Sequence, residues 1–426
     1  MTIVMLVLFI VFAFLGMPLA FALGFTSLGA LYLGDFPVTM LAERMLYAVN
    51  SFPLMAIPLF IIAGELMVKA GMMERLVAFS NSLVGRVHGG LANVTIVAGT
   101  ILAAVSGAAV ASASALGSAL VPSLRKYYPD SYSCAVIASA SNLGPIIPPS
   151  NAMIVYALMA GSAVSVGGLF MAGIVPGVIL CAGFICIASY LSWKRKYPLT
   201  GQPFNAKVAL RELRRAYAIL LMPIVVLGGI ISGLFTATEG AAVAVVYSAL
   251  IGFFATRKLK LRDVPGCLFR AAVVSAMVAA LIAFAATVTF LFAVEMVPQQ
   301  LAQWIQSVTT DPMTFVIATM VLLVIVGMFL ESNAAYIMLV PLFAPIAQTF
   351  GIDPLWFGLL FVLNLVIGMM TPPVGVLYFV VCGITRVPMG PVVRECIPFV
   401  AYQFLVMILC MIFPSIVTWL PRALGY

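Results

Sequence analysis

Gly144-Pro145-Ile146-Ile147-Pro148-Pro149 and Gly368-Met369-Met370-Thr371-Pro372-Pro373 share one pattern: a glycine, three residues, then two prolines. Each block sits inside an apolar run, Ser131 to Ala160 and Leu355 to Thr385. A double proline removes two backbone donors and unwinds a helix. The carbonyls it frees cannot be left in lipid, so protein, water or an ion must satisfy them. Unwound carbonyls are good ligands for a hard cation.

Lipid is the implied solvent. Of 426 residues 64% are hydrophobic and only 8% are charged, more apolar surface than a water-soluble core hides. Runs of 18 or more apolar residues recur from end to end, each able to cross a hydrocarbon layer of about 30 Å. Met1 to Leu33 is too long for a signal peptide and lacks a basic start and a cleavage site, so it reads as the first membrane helix. The net charge of +8 lies in short connecting segments, which is the pattern of positive-inside topology rather than of a nucleic-acid surface. A loop such as Lys194-Arg195-Lys196 also suits anionic membrane lipids. The seven cysteines have no metal-ligand spacing and read as small buried hydrophobes. Trp193, Trp356 and Trp419 lie near run ends, where an aromatic belt is expected.

Two segments set the orientation. Trp193 to Arg215 carries seven basic residues and Arg257 to Arg270 carries five, so both are expected in the cytoplasm. The runs Tyr217 to Leu234 and Glu239 to Phe254 lead out and back between them. Counting backwards places Arg125 and Lys126 inside, with Arg86 on the same side. Between Arg86 and Arg125 lie Asn93 to Val105 and Ala109 to Leu120, each only about 20 Å long as a helix. A Ser106-Gly107 break separates them, so they are expected to form a re-entrant hairpin. After Arg270 no Lys or Arg appears until Arg386. In that stretch Thr314 to Leu330 and Ala334 to Thr349, interrupted at Glu331-Ser332-Asn333, form a second hairpin entered from the opposite side. The N-terminus is expected in the cytoplasm and the C-terminus in the periplasm.

The order crossing, hairpin, interrupted crossing, crossing thus occurs twice, with opposite orientation. The expected organisation is an N-terminal scaffold helix and connection (1–49), a first repeat (50–193, hairpin 93–124, broken helix 131–161), basic loops and central scaffold helices (194–270), and a second repeat (271–426, hairpin 313–350, broken helix 355–385). Inverted repeats with broken helices are the architecture of secondary transporters, with the site near the midplane. Hairpin tips add polar groups and free helix ends: Ser106, Ser112 and Ser114 in the first, Glu331, Ser332 and Asn333 in the second. Half-helix N-termini suit an anionic solute group. An ionisable group at the depth of Glu331 is costly in a membrane and is either functional or set in a water-filled vestibule. No cofactor is expected beyond coupling ions.

Four stretches carry a resemblance: SFPLMAIPLFIIAGELM (Ser51 to Met67), SGAAVASASALGSALVP (Ser106 to Pro122), GPIIPPSNAMIVYA (Gly144 to Ala157) and GMMTPPVGVLYFV (Gly368 to Val380). They resemble the DctM-like large membrane subunit of tripartite ATP-independent periplasmic (TRAP) transporters. The resemblance spans nearly the whole chain. It implies an all-α, elevator-type transporter of the bacterial inner membrane, sodium-coupled uptake of an organic acid anion, a periplasmic substrate-binding protein and a separate small membrane subunit. The solute expected first is a sialic acid, then a C4-dicarboxylate. The implied substrate and sodium region comprises Ser106, Gly107, Asn142, Gly144, Pro149 and Ser150 in the first repeat. In the second it comprises Gly327, Ser332, Asn333, Gly368, Thr371, Pro372 and Gly375. Tip residues vary in the family, and this sequence has Ser112 and Ser114 where acidic residues occur in others.

Other classes fit less well. A stand-alone carboxylate symporter has the same architecture but needs no binding protein. A channel builds its filter around an axis rather than from repeats inverted within one chain. An intramembrane enzyme lacks its groups: His88 is the single histidine, no H-E-x-x-H occurs, and the five aspartates fall in loops.

Overall fold

Polar backbone groups cannot be left bare in lipid, and the computed structural model is helical, with no strand among the described residues, 2–84, 86–199 and 204–426. In chain order the helices are α1 (Thr2–Phe14), α2 (Leu19–Leu33), α3 (Thr39–Val49), α4 (Ala56–Lys69), α5 (Met72–Val84), α6 (Gly90–Ser106), α7 (Ala109–Leu124), α8 (Asp130–Ser141), α9 (Asn151–Ala160) and α10 (Val166–Lys194). There follow α11 (Ala206–Ile231), α12 (Ala237–Leu250), α13 (Val264–Val294), α14 (Val297–Val308), α15 (Pro312–Phe329), α16 (Ser332–Thr349), α17 (Pro354–Gly368), α18 (Val376–Thr385), α19 (Met389–Ile412) and α20 (Ser415–Ala423). Seven described helical segments are long and apolar enough to cross a membrane.

The series α4 to α10 and the series α13 to α19 correspond element by element. Each has a crossing (α4, α13), a short amphipathic arm (α5, α14), a hairpin (α6–α7, α15–α16), a broken helix (α8–α9, α17–α18) and a second crossing (α10, α19). The arms were not visible in the hydropathy pattern, because each is a single mixed stretch between two apolar runs. The first halves of the broken helices, α8 and α17, are the centre of the molecule. Every residue from Tyr132 to Ser141 and from Trp356 to Gly368 is buried. α17 is apolar on nearly all sides and must be surrounded, while α8 is built of small residues and serines that let its neighbours approach closely; α6, α7, α18 and α19 surround α8, while α15, α16, α9 and α10 surround α17.

Two sequence expectations change. Met1 to Leu33 does not form one membrane helix: the chain turns at Leu15–Pro18, where Gly16 has φ +78°, and α1 packs back along α2. The Phe12 and Phe25 rings lie 5.8 Å apart across this hairpin. The start of α1 therefore lies at the same end as Asp35, and the argument for a cytoplasmic N-terminus, which needed a single crossing there, no longer holds. Trp356 is not a belt residue. It is 7% exposed and its indole N–H donates to the Cys410 carbonyl at 2.8 Å; Trp193 and Trp419 are exposed.

The basic segments gather at one end. Arg75 donates to the carbonyls of Arg215 (3.2 Å) and Ala255 (3.0 Å), so one guanidinium joins the ends of both basic stretches. Glu65 of α4 pairs with Arg270 of α13 at 2.7 Å, and Lys69 with Asp263 at 3.4 Å. The hairpin at the N-terminus yields a direct test. In a background without the native cysteines, Val4→Cys and Asp35→Cys are expected to react with a membrane-impermeant maleimide from the same side; labelling from opposite sides would restore the single crossing.

Candidate functional site

Each hairpin tip is closed by the backbone of the broken helix in its own repeat. In the first, the Asn151 N–H donates to the Gly107 carbonyl at 3.3 Å; in the second, the Gly375 N–H donates to the Met328 carbonyl at 3.2 Å. Asn151 and Gly375 occupy the same place, two residues beyond the second proline. Both Pro148-Pro149 and Pro372-Pro373 are cis. The glycines are needed for this fit. Gly107 has φ +59°, and a Cβ there would stand 2.9 Å from the Asn151 nitrogen and 3.0 Å from the Pro149 oxygen. A Cβ on Gly368 would stand 2.6 Å from the Gly327 Cα, so α15 and α17 touch backbone to backbone. Gly144 lies against Ala108 of the first tip in the same way, at 3.1 Å.

The polar side chains divide into staples and caps. Ser150 caps α9: its hydroxyl donates to the Pro145 carbonyl at 2.6 Å and accepts from the Met153 N–H at 3.3 Å. Asn142 is fully buried. Its Nδ2 donates to the Val366 carbonyl at 3.1 Å and to Gln403 Oε1 at 3.2 Å, tying the first break to the second repeat. Its Oδ1 has no hydrogen-bond partner among the described residues. Thr371 bonds back to the Ile367 carbonyl at 2.8 Å. Glu331 caps α16, accepting from the backbone of Asn333 (2.9 Å) and Ala334 (3.3 Å) and from the side chains of Asn333 (2.9 Å) and Ser332 (3.3 Å). Glu331 is a capping carboxylate whose oxygens are held within its own tip.

The remaining candidates are less uniform. Ser112 is buried in the first turn of α7, whereas Ser114 is exposed. The Ser106 side chain lies outside the described residues. Pro149 is buried but Pro372 is exposed, so the second break is the open one.

Half-helices pair across the repeats. α7 lies beside α18 and α9 beside α16. A Cβ on Gly117 would stand 3.5 Å from Ile384 and Arg125 donates to the Thr385 carbonyl at 2.5 Å, so α7 and α18 run parallel with their first turns abreast. Neither has a side-chain cap: Ala108 and Gly375 precede them. The opposite pair is capped by Ser150 and Glu331. At the start of α18 the Gly375 and Leu377 N–H groups are already taken by the Met328 and Met369 carbonyls, so the end suited to an anion is the first turn of α7, while the breaks offer carbonyls and an amide oxygen, suited to a cation.

A family model, "Tripartite ATP-independent periplasmic transporter, DctM component", matches residues 6–416. This chain belongs to the DctM family of TRAP transporters. It is 34% identical over 417 residues to the sialic acid TRAP transporter large permease SiaM of Vibrio cholerae, covering 97% of each chain. It is 36% identical over 393 residues to the C4-dicarboxylate TRAP transporter large permease DctM of Pseudomonas aeruginosa, covering 91% of this chain and 90% of that one. Among solved structures, the YdaH transporter of Alcanivorax borkumensis has the same fold, with a TM-score of 0.64 at 16% identity, covering 98% of this chain and 99% of that one. The protein is a multi-pass membrane transporter subunit, not an enzyme.

Within this DctM-family site the sequence reading missed Gln403, Asn364 and Asn151. Asn364 Nδ2 donates to the Met320 carbonyl at 2.9 Å. The signal was there for the first two, since an amide inside an otherwise apolar crossing is costly and needs a partner. Gly368→Ala is expected to push α15 from α17, costing about 1–3 kcal/mol as an overpacked contact. Gly383→Ala, with nothing within 4 Å of its Cβ, is expected to leave thermal unfolding unchanged or slightly raised, since Ala is the better helix former. Equal stability of the two variants would contradict the close approach.

Proposed function

We propose that this chain is the permease of a sodium-coupled uptake system for an organic acid anion in the bacterial inner membrane. The observation that carries the reading is the pair of equivalent tip-to-break bonds, Gly107 to Asn151 and Met328 to Gly375. Each bond joins a tip to the break of its own repeat, and Asn142 ties the first break to Val366 of the second repeat, so interrupted backbone gathers inside a membrane protein, where a binding site justifies its cost. Sodium is assigned to the unwound carbonyls and Asn142 Oδ1, and the anionic group of the solute to the uncapped first turn of α7. A sodium ion entering down 100 mV releases about 2.3 kcal/mol, so two ions drive substantial accumulation without nucleotide.

Motion follows the contacts. In the first repeat, crossing α4 and arm α5 pack on α6, the first arm of their hairpin. In the second, α13 and α14 pack on α16, the second arm. The repeats therefore stand in two different relations to the outer helices. An elevator stroke exchanges these relations, with hairpins, broken helices, α10 and α19 moving as a block. The basic loops face the cytoplasm, and both termini face the periplasm. A periplasmic substrate-binding protein delivers the solute, and a small membrane subunit completes the fixed part.

A sialic acid is the first solute to test, with C4-dicarboxylates second; relatives of both types are similar to this chain to the same degree. Radiolabelled sialic acid uptake into proteoliposomes is expected to need a sodium gradient, the small subunit and the cognate binding protein. Uptake by this chain alone would favour a stand-alone symporter. Asn142→Ala is expected to raise the sodium concentration for half-maximal uptake at least about tenfold, the equivalent of one hydrogen-bond-strength contact to an ion. An unchanged sodium dependence would remove Asn142 from the cation site.

A further inference from the structure

A basic face outside the transport site lies on the first half of α11. One side of this helix is buried against α5 and α12 through Ala216, Ile219, Met222, Val226, Gly229 and Ile230. The other side shows a stripe at helical spacing: Leu210, Arg214, Tyr217, Leu221 and Ile224, all exposed. Tyr217 is 61% exposed and Ile224 64%. Lys207 and Arg211 stand on the adjoining ridge, also exposed.

The position along the helix matters as much as the face. From Tyr217 onward α11 is apolar and suits the hydrocarbon layer. Ala206 to Ala216 extends about 16 Å further, which is headgroup depth. Of the four cations there, Arg215 pairs with Glu212 at 2.9 Å. Lys207, Arg211 and Arg214 have no carboxylate partner among the described residues.

We propose that this face binds the phosphate of an anionic membrane lipid. Arg214, Arg211 and Lys207 hold the phosphate, Tyr217 lies at the glycerol level, and an acyl chain runs along Leu221 and Ile224. A soluble acidic peptide fits the charge but not the stripe, because Leu210 alternates with the cations and Leu221 and Ile224 continue the same line into the membrane. A mixed basic and leucine-bearing segment of this kind lies in the interface rather than in bulk water. The bound lipid anchors α11, the helix on which α5 rests.

The test is native mass spectrometry of the purified full chain, titrated separately with phosphatidylglycerol and phosphatidylcholine. The parent is expected to prefer phosphatidylglycerol, the more weakly as ionic strength rises. Lys207→Gln/Arg211→Gln/Arg214→Gln is expected to weaken phosphatidylglycerol binding about a hundredfold and Arg214→Gln alone about fivefold. Both leave phosphatidylcholine binding unchanged. Lys194→Gln/Lys196→Gln, which removes charge from the neighbouring loop, is expected to retain the preference. Equal binding of both lipids by the parent, full retention of the preference by Arg214→Gln and by the triple variant, or equal competition from inorganic phosphate at lipid-like concentration would overturn the proposal.

Discussion

An unpaired backbone amide in lipid costs several kcal/mol, and the architecture follows from where this chain breaks its helices and what closes the breaks. Two hairpin tips and two double prolines expose backbone near the middle of the molecule. Each tip is closed by the N–H two residues past the prolines of its own repeat. That bond requires close approach, hence Gly107 with φ +59° and the bare contact of Gly327 with Gly368. It also requires burial, hence α8 and α17 shielded on all sides. The glycines, the prolines and the fully buried central helices are one solution to one constraint.

Asymmetry laid over this symmetry gives the arrangement direction. The Ser150 and Glu331 caps occupy the adjacent pair α9 and α16, while α7 and α18 begin without side-chain caps. The Pro148-Pro149 break is buried while Pro372 and Pro373 are exposed. A site built by two equivalent halves is thus capped by side chains on one side only and has one buried and one exposed break. The amphipathic arms α5 and α14, each lying between a crossing and a hairpin, are the connections across which the two halves differ.

Much of this was legible in the sequence, for physical reasons. Pro-Pro after Gly is a strong local signal because it removes donors outright, and the basic segments mark one end because charge is so costly in lipid. What was not legible had weaker signals. The turn at Leu15-Gly16-Met17-Pro18 lies inside an unbroken apolar run, so hydropathy alone fused α1 and α2. Trp356 follows Asp353-Pro354, which marks a helix start but not whether that start is buried. The role of Glu331 as a cap depends on where the Asn333 and Ala334 amides point, which sequence does not give. Asn142, Asn364 and Gln403 could be singled out as amides in apolar helices, but their partners lie more than forty residues away in the chain.

The account rests on the broken backbone being the cation site. Hydrogen–deuterium exchange of the reconstituted protein, in sodium chloride and in choline chloride, measures this most directly. Sodium is predicted to slow exchange at the two tips and the two breaks, around Gly107, Asn151, Asn333 and Gly375, and to leave α1 to α3 unchanged. Sodium-driven uptake with no protection at any of these four places would contradict it.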